Sequence, residues 1–98
     1  MKINNNSSIL VTGGTGSFGK NFVSNILKKF PKIKRLVIFS RDEFKQYEMS
    51  KLFPKSKYPG IRFFIGDVRD YQRLKTSFNN IDIVVHAAAL KQVDTAEY

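Results

Sequence analysis

Ile9-Leu10-Val11-Thr12-Gly13-Gly14-Thr15-Gly16-Ser17-Phe18-Gly19 is the stretch whose reading decides the fold. Ile9 to Val11 is a short apolar run of the kind buried on both faces of a parallel sheet. The glycines then fall as Gly13-x-x-Gly16-x-x-Gly19. Beyond them the period changes, and Phe18, Phe22, Val23, Ile26, Leu27 and Phe30 share one helical face that Pro31 closes. A strand that runs through spaced glycines into an amphipathic helix presents backbone N–H groups, and the positive end of the helix dipole, to an anion. Gly13 permits the tight turn off the strand. Gly16, lacking a Cβ, allows close approach of a pyrophosphate, and Gly19 lets the helix pack closely on the sheet. Thr15 and Ser17 add hydroxyl donors.

Outward from this loop, strand and helix patterns keep alternating. Leu36 to Phe39 reads as a second strand. Asp42 to Phe53 reads as a charged helix with Phe44, Tyr47, Leu52 and Phe53 turned inward, closed by Pro54. Ile61 to Ile65 is a third strand. Asp70 caps a short helix with Tyr71, Leu74 and Phe78 on its inner side, and Ile81 to Ala87 is a fourth strand. The order βαβαβαβ predicts an α/β fold: a Rossmann-type parallel sheet with helices on both faces, right-handed crossovers and strand order 3-2-1-4. A doubly wound sheet continues past four strands. The 98 residues are therefore read as the amino-terminal part of a dinucleotide-binding domain, with 1–8 as a polar leader and the rest of the domain, and a substrate domain, elsewhere in a longer protein.

In this fold, ligands meet the carboxyl ends of the strands. Enzymes that use NAD place an acid at the end of the second strand to hold the ribose 2′-hydroxyl. Here Ser40-Arg41 occupies that point, which suits a 2′-phosphate and favours NADP over NAD. Asp42 and Glu43 follow at once, and a shift of one residue would reverse the preference. After the third strand comes Gly66-Asp67-Val68-Arg69-Asp70, where Asp67 can accept from an adenine amino group while Val68 packs on the ring. The other reading of Asp67 is a helix cap, for which Asp70 is the better candidate. Ala87 and Ala88, at the end of the fourth strand, leave room for a nicotinamide ribose. His86, among apolar neighbours, reads as a packed structural histidine.

Composition narrows the function classes. The chain is 42% hydrophobic with nine Phe and four Tyr, enough to build a core, and it has no Cys for disulfides, thiolate metal sites or thiol nucleophiles. No metal site is expected. Ile9 to Val11 is too short for a signal core or a membrane span, so a cytoplasmic protein with no membrane span is expected. The net charge is +9, from 17 Lys and Arg against 8 Asp and Glu, but the basic residues are scattered. The densest group, Lys28 to Arg35, follows a helix C-terminus, where cations are favourable. Nucleic-acid binding is accordingly expected to be weak, salt-sensitive and without sequence preference.

Thr12 to Gly19 (TGGTGSFG), Ser40 to Gln46 (SRDEFKQ), Phe63 to Asp70 (FFIGDVRD) and His86 to Val93 (HAAALKQV) together resemble the extended short-chain dehydrogenase/reductases. Among these the match is to the inverting UDP-N-acetylglucosamine 4,6-dehydratases of bacterial surface-sugar and pseudaminic acid synthesis, and it runs from Ile9 to Tyr98. The resemblance implies NADP contact by Thr15, Gly16, Ser17 and Phe18, by Ser40, Arg41, Asp42, Glu43, Phe44 and Lys45, and by Asp67, Val68 and Ala87. It also implies a junction role for Lys91 between cofactor and nucleotide-sugar substrate. The implied reaction moves hydride from C4 of the sugar to the cofactor, loses water across C5 and C6, returns hydride to C6 and inverts C5. The implied catalytic groups lie beyond Tyr98. Tyr47 to Lys51 and Tyr71 to Lys75 match Tyr-x-x-x-Lys, but both lie in flanking helices, away from the strand ends where chemistry belongs. Assembly of the whole protein with copies of itself is expected. Two other readings stay open: another epimerase or dehydratase of the extended group, and a non-catalytic dinucleotide-binding module.

Overall fold

Side-chain alternation along the first strand fixes the layers. In a computed structural model of the chain, which describes residues 3–87, all five residues of β1 (Ser8–Thr12) are buried. Ile9 and Val11 face one side of the sheet, where they pack with Leu36 and Ile38 of β2 (Arg35–Ser40) and Val23, Ile26 and Leu27 of α1 (Ser17–Lys29). Met49 of α2 (Glu43–Leu52) closes the same layer. Leu10, Val37 and Phe39 face the other side, against Phe64 of β3 (Ile61–Ile65) and Leu74 of α3 (Tyr71–Ser77). The sheet is parallel in the order β3-β2-β1-β4, with β4 at Ile83–His86. That is the expected fold and strand order. Residue pairs Thr12–Phe39 and Thr12–His86 bring the carboxyl ends of three strands level.

Helix boundaries follow the local signals. Asp42 accepts from the Lys45 N–H at 2.9 Å and starts α2, while Asp70 accepts from the Arg73 N–H at 3.1 Å and starts α3. Lys28 and Lys29 fill the last turn of α1, and Pro31 lies just beyond it. Asn80 takes the left-handed conformation (φ 62°), which asparagine tolerates, and turns the chain into β4. That turn, in which the Ile81 N–H donates to the Phe78 carbonyl, delays β4 to Ile83 instead of Ile81, and the Asp82 N–H donates to the Ser8 carbonyl as the strand begins to pair.

The inner faces of α2 and α3 differ from expectation. Phe44, Tyr47 and Leu52 are exposed, and Gln46 and Met49 point inward with Phe53 half-buried. The phase of α2 is set by hydrogen bonds from the buried Gln46 amide to the ends of β2 and β3, which outweigh the apolar spacing. In α3, Tyr71 is largely exposed and Leu74 joins the core, while Phe78, just past the helix, is partly exposed. Phe18 is also exposed, at the mouth of the cleft described below.

Candidate functional site

A cleft of about 540 Å³ opens at the carboxyl ends of the strands. Its floor is the glycine loop. Gly13 has φ 69°, a conformation that favours glycine, and its N–H donates to the Phe39 carbonyl at 2.9 Å. The Gly13 carbonyl in turn accepts from the Gly16 N–H at 3.2 Å. A Cβ on Gly19 would lie 2.5 Å from Gly14 Cα and 2.6 Å from the Gly13 oxygen. Gly19 thus packs on the loop backbone, and it is Gly14 that approaches the sheet, where a Cβ would stand 2.8 Å from Ile38 Cγ2. This corrects the expectation that Gly19 serves helix-to-sheet packing, and Gly14 escaped notice because it lies outside the three-residue spacing.

Gly16 is different. Its backbone is ordinary extended chain (φ −72°, ψ 174°), and among the described residues a Cβ there would meet no atom closer than the Gly13 oxygen at 3.6 Å. No neighbour in the fold requires glycine at Gly16, and the residue borders open cleft. The first hydrogen bond of α1 runs from the Lys20 N–H to the Gly16 carbonyl, so the N–H groups of Ser17, Phe18 and Gly19 have no acceptor among the described residues. Among the described residues no side chain caps this helix, in contrast to α2 and α3, and no acid lies in its first turn. The result is a helix start with free donors and uncompensated positive dipole, which accepts an anion.

The ends of β2 and β3 form the wall. Ser40, Arg41, Asp42 and Lys45 border the cleft, as do Asp67 and Val68, with Ala87 buried at the end of β4. Thr15, Phe18 and the loop glycines Gly13, Gly16 and Gly19 complete the expected set that converges here. Ser17, Glu43 and Phe44 do not border it; Phe44 is on the outer face of α2. Ala88 and Lys91 lie outside the described residues. Phe39, Gly66 and Arg69 border the cleft without having been singled out in the sequence. For Arg69 a signal was present: an Asp and an Arg two residues apart, after a strand.

That pair dominates the local electrostatics. Asp67 Oδ2 lies 2.7 Å from Arg69 Nη2 and 3.4 Å from Arg41 Nη1, and the Arg69 N–H donates to Oδ1 at 2.9 Å. The Arg69 side-chain hydrogen bonds, then its backbone N–H, hold the Asp67 carboxyl well below the ordinary carboxylate value of 3.8, with further attraction from the Arg69 and Arg41 charges. A carboxyl whose value is lowered on folding stabilises the folded protein above about pH 4, and that contribution is lost as pH falls below it. Acid titration of Asp67→Asn should therefore show a shallower loss of stability below pH 4 than wild type, and an unchanged slope would mean that the pair does not persist in solution.

His86 is exposed, not packed in the core, and its Nδ1 lies 2.9 Å from Thr12 Oγ1. Alternation along β4 turns it away from the α1 layer, which Val85 enters instead. No group of three or more His, Asp or Glu placed to hold a metal exists among the described residues, and none of their helices is long and apolar enough to cross a membrane.

Residues 9–98 match the family described as polysaccharide biosynthesis protein. The chain belongs to that family. Over 94 residues it is 49% identical to the UDP-N-acetylglucosamine 4,6-dehydratase (inverting) of Campylobacter jejuni, a match covering 96% of this chain and 27% of the relative. It is 47% identical over 93 residues to the UDP-glucose 4-epimerase of Rickettsia prowazekii, covering 93% of this chain and 26% of that enzyme. This member of the polysaccharide biosynthesis family thus spans about a quarter of the length of the curated relatives it matches. Among solved structures, Pen from Bacillus thuringiensis aligns with a TM-score of 0.73 at 37% identity, over 86% of this chain and 24% of that one. A short chain dehydrogenase from Bacillus anthracis aligns with a TM-score of 0.63 at 25% identity, over 81% of this chain and 33% of that one.

Proposed function

We propose that the cleft holds a nicotinamide dinucleotide, NADP in preference to NAD, in a nucleotide-sugar enzyme of the polysaccharide biosynthesis family. One observation carries this reading: an uncapped helix start and an open position at Gly16 lie in the same cleft as Ser40 and Arg41. The residues fit such a group. The N–H groups of Phe18 and Gly19, at the cleft, would hold the pyrophosphate, and the missing Cβ of Gly16 leaves it room. Arg41, 72% exposed at its side chain, and the Ser40 hydroxyl would meet the 2′-phosphate, with Lys45 and Arg69 adding positive potential. Val68, 51% exposed, offers apolar surface to an adenine ring. Asp67 remains the candidate for the adenine amino group, although two guanidiniums already share its carboxylate. The chemistry that the cofactor supplies is temporary storage of a hydride.

For the intact protein we propose 4,6-dehydration of UDP-N-acetylglucosamine with inversion at C5, in the cytoplasm, by an assembly of identical chains. The 49% identity to the Campylobacter enzyme supports it. Lys91 would stand at the cofactor–substrate junction and Ala88 near the nicotinamide ribose. The acid and base that move the C5 proton and the C6 hydroxyl would come from outside the described residues, since a general base must reach the proton it takes. The 47% identity to the Rickettsia enzyme supports a second reading, 4-epimerisation. Incubation of the intact protein with UDP-N-acetylglucosamine and NADP separates the two. Dehydration gives a 4-keto-6-deoxy sugar nucleotide, and epimerisation gives the C4 epimer with its C6 hydroxyl retained. Dinucleotide binding with neither product, from this substrate or from UDP-glucose, would favour a non-catalytic module.

A further inference from the structure

Ser40 borders the cleft, and its hydroxyl faces a buried amide. Gln46 on α2 is 4% exposed, and its Nε2 is 2.9 Å from Ser40 Oγ, 3.2 Å from the Ser40 carbonyl and 3.1 Å from the Phe64 carbonyl. Carbonyl oxygens only accept, so these two fix which way the amide faces: nitrogen toward the strand ends, Oε1 away from them. Oε1 has no donor partner among the described residues. The amide has two hydrogens for these three acceptors, so the Ser40 carbonyl and hydroxyl oxygens share one of them, and a hydroxyl that shares an amide N–H accepts from it. The Ser40 hydrogen therefore cannot point at Gln46, and among the described residues it has no acceptor. Ser40 borders the cleft next to Arg41, while Gln46 does not border it.

We propose that Gln46 is a positioning residue for cofactor choice: its amide holds the Ser40 oxygen as an acceptor and thereby presents the Ser40 hydrogen to the cleft as a donor. This rests on the NADP reading above and gives it a mechanism. A phosphate ester next to the ribose offers acceptors, which a committed donor beside a guanidinium satisfies. A ribose 2′-hydroxyl can take the same hydrogen only as a neutral partner, in a bond roughly half as strong as the charge-assisted one to a phosphate oxygen. The selectivity of Ser40 thus comes from the residue behind it. A Gln46 that merely clipped α2 to β2 and β3 would support the whole cleft wall and serve both cofactors alike.

The test is a double-mutant cycle in the intact protein, with Gln46→Met, Ser40→Ala and the pair, reading NADP and NAD affinities beside the urea midpoint. Methionine fills a similar volume without the donor. Gln46→Met is expected to lower NADP affinity about five- to tenfold and NAD affinity less than about twofold, with no further loss when added to Ser40→Ala. Equal losses for the two cofactors, or an undiminished loss in the Ser40→Ala background, would overturn the proposal and leave the NADP reading standing. A wild-type protein without preference for NADP removes both. Should Gln46→Met not fold, Gln46→Leu takes its place in the same cycle: a loss confined to NADP and absent in the Ser40→Ala background supports the proposal, and a loss shared with NAD, or undiminished there, overturns it.

Discussion

Gly16→Val should abolish dinucleotide binding while leaving the protein folded. The two halves of this result have separate causes. Valine adopts the extended backbone of Gly16 without strain, and the nearest atom of the described residues to its Cβ is 3.6 Å away, so the cost to folding should be about 1 kcal/mol, that of a poor N-cap residue. The added methyl groups would stand in the open cleft over the first turn of α1, in the space assigned to the pyrophosphate. An affinity loss of about a hundredfold or more is expected, because an anion pushed off those donors loses several charge-assisted hydrogen bonds together. Titration beside a urea unfolding curve reads both halves. Retained affinity would show that the loop is only a turn.

Gly19→Ala should do the reverse. Its Cβ would be driven to 2.5 Å from Gly14 Cα and 2.6 Å from the Gly13 oxygen, both backbone atoms of a tight turn that has no rotamer with which to give way. Helix α1 would have to lift from the loop, at a cost of roughly 1 to 3 kcal/mol typical of overpacking. A drop in the urea midpoint with an unchanged slope is the expected reading. Unchanged stability would mean that the helix start does not pack on the loop as described. The two glycines, three residues apart in one motif, thus separate a position open for a ligand from one closed by the fold.

That distinction was only partly legible in the sequence. The order of elements was legible, because strands and helices here differ in period and are punctuated by Pro31, Pro54 and the loop glycines. Strand order followed from the parallel crossovers. The caps at Asp42 and Asp70 also followed from local chemistry. The phase of α2 did not. Counting apolar residues placed Phe44 and Tyr47 inward, whereas one buried polar side chain, Gln46, satisfies the Ser40 and Phe64 carbonyls and turns the helix by its own demand. The same blind spot hid the partners of Asp67. Spacing can propose a carboxylate for an adenine amino group, but it does not say that Arg69 folds back onto it within 2.7 Å. The position of His86 depended on which face of β4 the α1 layer covers, a tertiary fact that the short strand does not carry.

The central claim is that this cleft is built for a dinucleotide bearing a 2′-phosphate, and it is tested most directly by the affinities of the intact protein for NADP and NAD, before and after Arg41→Ala. Arg41 extends from the end of β2, its side chain 72% exposed and held among the described residues by a 3.4 Å contact to Asp67, so the substitution should spare the fold. Wild type is expected to prefer NADP. Arg41→Ala should cost NADP roughly 10- to 100-fold, the range for a lost hydrogen bond to a charged group, while NAD affinity stays within about threefold. Equal losses for the two cofactors, or a wild-type protein that binds NAD as well as NADP, would contradict the account.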